Sequence, residues 1–197
     1  MENLEQTPRP NKKEKNLQEI VVLRWGHRPQ RDARLTSHVA LTARALGASG
    51  FLLSDIVDKK IKETIEKVTG NWGGKFFFEM GTPWKRAVKN WKTKGGVVVH
   101  LTVYGENIET SPVLDRIRKS GKDVLVMVGS QKVPKEFYSN GVSDFNVSIG
   151  SQPHSECAAL AVFLDRFFEG KELGKGFKKA KIQVVPQERG KKTIVGC

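Results

Sequence analysis

Val124–Phe168 reads VLVMVGSQKVPKEFYSNGVSDFNVSIGSQPHSECAALAVFLDRFF. The apolar run Val124–Val128 ends in Gly129-Ser130-Gln131, and Phe145–Ile149 ends in Gly150-Ser151-Gln152. Short β-branched and apolar runs closed by glycine read as buried strands. The glycine that follows each strand carries no Cβ, so backbone there can approach a ligand closely. Pro134–Ser139 reads as a short turn or helix between the two strands. Pro153 suits the first turn of a helix over Pro153–Phe168, with Ser151 or Gln152 as its cap. Two ordinary strand-to-helix turns would have the same spacing.

Upstream, the pattern is also strand then helix. Strands are expected at Ile20–Leu23, Gly50–Leu53, Phe76–Phe78 and Val97–Leu101. Helices are expected at Arg31–Leu46, closed by Gly47, at Asp58–Val68, closed by Gly70, at Trp84–Trp91 and at Val113–Lys119. Such alternation predicts an α/β fold with a mostly parallel sheet. Ligands in these folds gather at the carboxyl ends of strands, here the loops after Leu101, Val128 and Ile149. Lys181–Val185 and Lys192–Val195 flank a turn at 186–190 and read as a basic C-terminal β-hairpin appendage. The expected organisation is a polar tail over 1–16, a main domain over 17–172 and the hairpin extension over 173–197.

Composition narrows the function classes. The chain has 197 residues, 38 % of them hydrophobic, enough for one domain with a real core. A net charge of +13 favours a polyanion partner. The N-terminus lacks the apolar core of a secretory signal, and no apolar run approaches the ~20 residues of a membrane span, so no membrane role is expected. Cys157 and Cys197 form no ligand pair and no metal is expected; a reducing, cytoplasmic setting fits two such thiols. GxGxxG, GxSxG and HExxH patterns are missing. The stretch GNWGGKF, Gly70–Phe76, has the wrong glycine spacing for a phosphate loop, and Phe76 stands where Ser or Thr is required.

The strand–Gly loop, connector, second strand–Gly loop and Ala-rich helix resemble the cofactor end of the knotted SPOUT methyltransferases. Val22–Asp55, VLRWGHRPQRDARLTSHVALTARALGASGFLLSD, and His100–Gly105, HLTVYG, are most similar to the archaeal tRNA cytidine 2′-O-methyltransferases that act at T-loop position 56. Ser37 interrupts the family's Thr-His-Val form. The resemblance covers about residues 20–170. It implies a deep C-terminal trefoil knot, S-adenosylmethionine as cofactor, tRNA as substrate, and a homodimer paired through Cys157–Phe168. It also implies cofactor contacts at Leu101, at Gly129, Ser130, Gln131, Lys132 and Val133, and at Val147, Ser148, Ile149, Gly150, Ser151, Gln152, Pro153 and His154, mostly through backbone. Valine at Gly129 or Gly150 is then expected to block the cofactor by steric clash.

Related 2′-O enzymes place a catalytic arginine in the helix that ends Ala-x-Gly. Aligned on Ala45-Leu46-Gly47, that position is Leu41, so another group must take the role. At 100° per residue Arg31, Arg34 and His38 share one helical stripe beside a core stripe of Leu35, Val39, Thr42 and Leu46. The catalytic candidates are therefore Arg28, Arg31, Arg34 and His38, with the arginines suited to grip phosphates. A solvated basic face gives the same stripe. A knotted methyltransferase for a base or another RNA position, and an RNA-binding protein without catalysis, remain open alternatives.

Overall fold

The computed structural model describes residues 18–196. The expected tail over 1–16 and Cys197 lie outside them. Six strands, β1 (Ile20–Trp25), β2 (Gly50–Leu53), β3 (Phe77–Met80), β4 (Val97–Asn107), β5 (Val124–Gly129) and β6 (Phe145–Ser148), form one sheet in the order β3-β2-β1-β5-β4-β6. All its pairings are parallel. Helices α1 (Pro29–Ala45), α2 (Lys59–Trp72), α3 (Trp84–Thr93), α4 (Val113–Lys119) and α5 (Glu156–Phe168) connect and cover it.

The sheet needs both faces covered because its central strands are apolar on both sides. Side chains alternate across a strand. Ile20 and Val22 of β1 and Val124, Val126 and Val128 of β5 face a core shared with α1 and α5. Val21, Leu23, Leu125 and Met127 face a second core with Trp84 and Val88 of α3 and with Phe137. After the edge strand β6 the chain returns across β4 and β5, and α5 packs against α1.

Several boundaries differ from expectation for tertiary reasons. Helix α2 passes through Gly70 and stops at Gly73, whose φ is +73°. A Cβ on Gly73 would press on the backbone of Lys178 and Ala180, so the C-terminal segment fixes this stop. Helix α5 begins at Glu156, not Pro153. Its cap is Ser155, whose Oγ accepts from the Ala158 N–H at 3.2 Å, so Ser151 and Gln152 are not caps. On α1 the buried positions are Asp32, Thr36, Val39, Ala40, Ala43 and Arg44; Leu35, Thr42 and Leu46, expected in the core, are half-buried.

Strand β4 runs past its expected end. Leu101 and Glu106 both register with Val147, so Thr102–Gly105 form an excursion from the β4–β6 ladder. Gly105 closes it, because a Cβ there would collide with the backbone of Asn146 and Val147.

In the C-terminal segment, Ile182–Val184 pairs antiparallel with Thr193–Val195. Its approach is tied to the body: Gly74 N–H donates to Lys178 O at 2.8 Å and Lys181 N–H to Asn71 O at 2.8 Å, with Ala180 buried.

Candidate active site

The carboxyl ends of β4, β5 and β6 surround a cavity of about 320 Å³. Leu101, Gly129, Ser130, Gln131, Val147, Ile149, Gln152, Pro153 and His154 line it, joined by Thr102, Val103, Glu156 and Ala159. Of the residues expected at a cofactor, Lys132, Val133, Ser148, Gly150 and Ser151 are not in the wall. Val133 lies behind the loop, where its Cγ1 occupies the space a Cβ on Gly129 would need. Ser148 is buried in the sheet edge and its carbonyl accepts from the Ile108 N–H at 3.0 Å. A Cβ on Gly150 would meet no protein atom within 4 Å, and the φ of +71° there strains any other residue.

The first loop is fastened to the start of α1. Ser130 N–H donates to Trp25 O at 3.0 Å, and its hydroxyl bonds the Gly26 carbonyl and lies 3.4 Å from Asp32 Oδ2. Asp32 also holds Arg28 in a two-point pair, with Nε and Nη2 each 2.9 Å from a carboxylate oxygen. The hydrogen bonds from Arg28 and its charge pull the Asp32 pKa down to about 2. Arg28 is thus committed to Asp32, while Arg31, Arg34 and His38 are exposed along the outer face of α1. The second loop is spanned by His154, whose Nε2 lies 2.7 Å from Ile149 O and Nδ1 3.1 Å from Ser155 O.

Beneath the cavity runs a polar chain that the residue pattern did not reveal. Arg24, at the end of β1, is fully buried. Its Nη2 lies 2.9 Å from Glu156 Oε1, and its Nε donates to Thr36 Oγ1 at 2.8 Å. Thr36 Oγ1 is 2.9 Å from His27 Nδ1, and His27 Nε2 is 3.1 Å from Asp58 Oδ2. A carboxylate only accepts, so the contact with Asp58 places a proton on His27 Nε2, and the Thr36 hydroxyl bridges Arg24 Nε and His27 Nδ1. Asp58 Oδ1 in turn caps α2 at the Lys60 and Ile61 N–H groups, 3.1 and 3.3 Å away. Burial pushes the Arg24 pKa down, and Glu156 opposes that shift. The one sequence signal was a charged residue inside an otherwise apolar strand, VVLRW. In β4, burial lowers the His100 pKa against a hydrogen bond at 3.0 Å to Asn146 Oδ1 that raises it, which favours neutral imidazole.

This all-parallel sheet, with its cavity at the strand ends, is a fold that the chain shares with solved SpoU-type methyltransferases. The SpoU methyltransferase AviRb from Streptomyces viridochromogenes, solved in complex with AdoMet, superposes with a TM-score of 0.53 at 17 % identity, over 80 % of this chain and 59 % of that one. The TrmH/SpoU tRNA modifying enzyme of A. aeolicus gives 0.54 at 15 % identity, over 81 % of this chain and 80 % of that one.

Sequence comparison is sharper. The family model described as tRNA ribose 2′-O-methyltransferase, aTrm56, matches residues 72–194. A tRNA (cytidine(56)-2′-O)-methyltransferase of Staphylothermus marinus is 54 % identical over 88 % of this chain and 91 % of its own length. That of Thermococcus kodakarensis is 51 % identical over 89 % and 96 %. The chain belongs to the tRNA ribose 2′-O-methyltransferase family aTrm56.

Proposed function

We propose that the protein transfers the methyl group of S-adenosylmethionine to the ribose 2′-hydroxyl of the T-loop cytidine at tRNA position 56. The observation that carries this is the cavity at the ends of β4, β5 and β6, in a chain that belongs to this family. The cavity suits the cofactor. Leu101, Val147, Ile149 and Ala159 offer apolar walls for an adenine ring, and the two strand-end loops offer backbone polar groups. Glu156, in the wall, is held from beneath by the buried Arg24, 2.9 Å from its Oε1. When bound, the cofactor supplies an electrophilic methyl on a sulfonium.

The remaining work falls to the chain. Positioning two reactants in line removes much of the barrier of such a displacement. Gly129–Val133 and Val147–His154 hold the donor side. Arg31 and Arg34 reach outward from α1 to grip tRNA phosphates, and Arg28, fixed by Asp32 beside Ser130, sits between the two. The chain's return from β6 across the sheet to α1 supports a trefoil-knotted C-terminal half within a main domain over 17–172. Exposed Val162 and the small residues of α5 support a homodimer paired through that helix. The lysines of the 173–197 extension add RNA affinity that falls steeply with salt. The setting is cytoplasmic, in keeping with the free thiol of Cys157.

Incubation with unmodified tRNA and labelled donor, followed by mapping of the modified nucleotide, tests this reading. The expected product is a single 2′-O-methylcytidine in the T-loop. A methylated base, another position or no transfer overturns it. Wild-type single-turnover rates in the alanine variants of Arg28, Arg31 and Arg34 would remove those residues from the reaction.

A further inference from the structure

The excursion of β4 does something regular strand would not. It carries Thr102–Gly105 out of the ladder at the rim of the cavity, where Thr102 and Val103 are already wall residues. Its outermost side chain, Tyr104, is 83 % exposed, the most exposed large hydrophobic among the described residues. Beside it stands Tyr138, with ring centroids 6.4 Å apart and planes inclined by 59°. Tyr138 is braced: its hydroxyl lies 3.2 Å from Thr102 Oγ1, and its ring packs edge-on to His100 at 5.0 Å. It ends the short 3-10 helix Lys135–Tyr138, in which side chains three apart eclipse, so Lys135 shares its face. Nearby carboxylates are engaged, Glu106 with Arg116 and Glu136 with Lys85. Among the described residues Lys132 and Lys135 have no ion-pair partner, and the rim is left basic.

An exposed aromatic on a braced support, edged by free lysines and continuous with the cavity, matches a surface that stacks an RNA base and holds its phosphate. We propose that Tyr104, backed by Tyr138 and flanked by Lys135, is a stacking platform for an unpaired base of the tRNA next to the methyl-accepting ribose. The base lies on the outer face of Tyr104, not between the rings. A sandwiched base needs parallel rings roughly 7 Å apart, two van der Waals contacts, and these are closer and tilted. The proposal rests on the methyltransferase reading and adds to it the group that presents the nucleotide.

Tyr104→Ala and Tyr104→Phe test it in the full-length protein, by tRNA affinity at fixed salt, by S-adenosylmethionine calorimetry and by sedimentation. At such exposure neither change threatens folding. The alanine variant is expected to weaken tRNA binding about 5- to 100-fold, with cofactor affinity and oligomeric state unchanged. Phenylalanine should restore binding to within about twofold, since a stack needs the ring and not the hydroxyl. Wild-type tRNA affinity in the alanine variant overturns the proposal. So does a phenylalanine variant as weak as alanine, or a changed oligomeric state, which would mean that a second copy covers this face. Absence of methyl transfer by the wild-type protein would sink the enzymatic reading instead, and the binding comparison would still report on the platform.

Discussion

Gly129-Ser130-Gln131 and Gly150-Ser151-Gln152 are the same tripeptide in two different states. The first follows β5, a central strand between β1 and β4, and is tied on several sides: Gly129 pairs with Trp25, and Ser130 bonds Trp25 O, Gly26 O and the neighbourhood of Asp32. The second follows the edge strand β6; Gly150, Ser151 and Gln152 are exposed, and His154 alone spans the loop. A strand with two neighbours delivers its loop among other loop ends that can bind it, whereas an edge strand delivers its loop to solvent. The cavity therefore has one rigid lip and one loose lip, which suits a site that must hold one molecule and admit another.

The largest test breaks the joint between the two lips. Glu156 rises just after the loose loop and partners Arg24 beneath the fixed one. Glu156→Ala would strand a buried guanidinium and is expected to cost about 3 kcal/mol in urea unfolding. A loss below about 1 kcal/mol would mean that the two lips are not coupled through this pair. Next, Gly129→Ala forces a Cβ into Val133 and should cost about 2 kcal/mol, against about 1 kcal/mol for Gly150→Ala, which meets only strain. Equal costs would remove the rigid–loose distinction. Smaller again, Ser130→Ala should lose about 1 kcal/mol, and Ser151→Ala under about 0.5 kcal/mol, in the same assay.

A separate test of the fixed lip is read with pH. Asp32 has a folded pKa of about 2, below its ordinary 3.8. A depressed carboxylate stabilises the fold above its unfolded pKa, and that contribution is lost as pH falls through the folded value. Acid unfolding of wild type and Asp32→Asn should therefore converge between about pH 4 and pH 2, while above pH 4 wild type stays the more stable. Parallel curves across that window would show that the Arg28–Asp32 pair does not anchor the fixed lip.

Much of this candidate site is legible in the sequence. The strand-end loops follow from apolar runs stopped by glycine, and both line the cavity, as do Leu101 and His154. The basic stripe of α1 also follows from its spacing, and Arg31, Arg34 and His38 do share an exposed face. What was missed has a common cause. Arg24, Thr36, His27 and Glu156 are each unremarkable in local sequence, and they acquire a role only because β1, α1 and the start of α5 meet. The Thr102–Gly105 segment was expected only as the loop after Leu101; that the strand resumes beside β6 at Glu106 is not a local property. Gly70 looked like a helix stop and is not one, because the last turn of α2 is held by the C-terminal segment.

The sequence alone determined the alternation of strands and helices, the two apolar faces of the central strands and the positions of the strand-end loops. These depend on periodicity and on the missing Cβ of glycine, which act over a few residues. The tertiary structure decided which of two identical tripeptides is fixed and which is free, where α2 and α5 begin and end, and which charge neutralises Arg24. Those depend on strand order, with β5 inserted between β1 and β4 and β6 left at the edge. Contacts between segments far apart in the chain exist only once the sheet has been assembled.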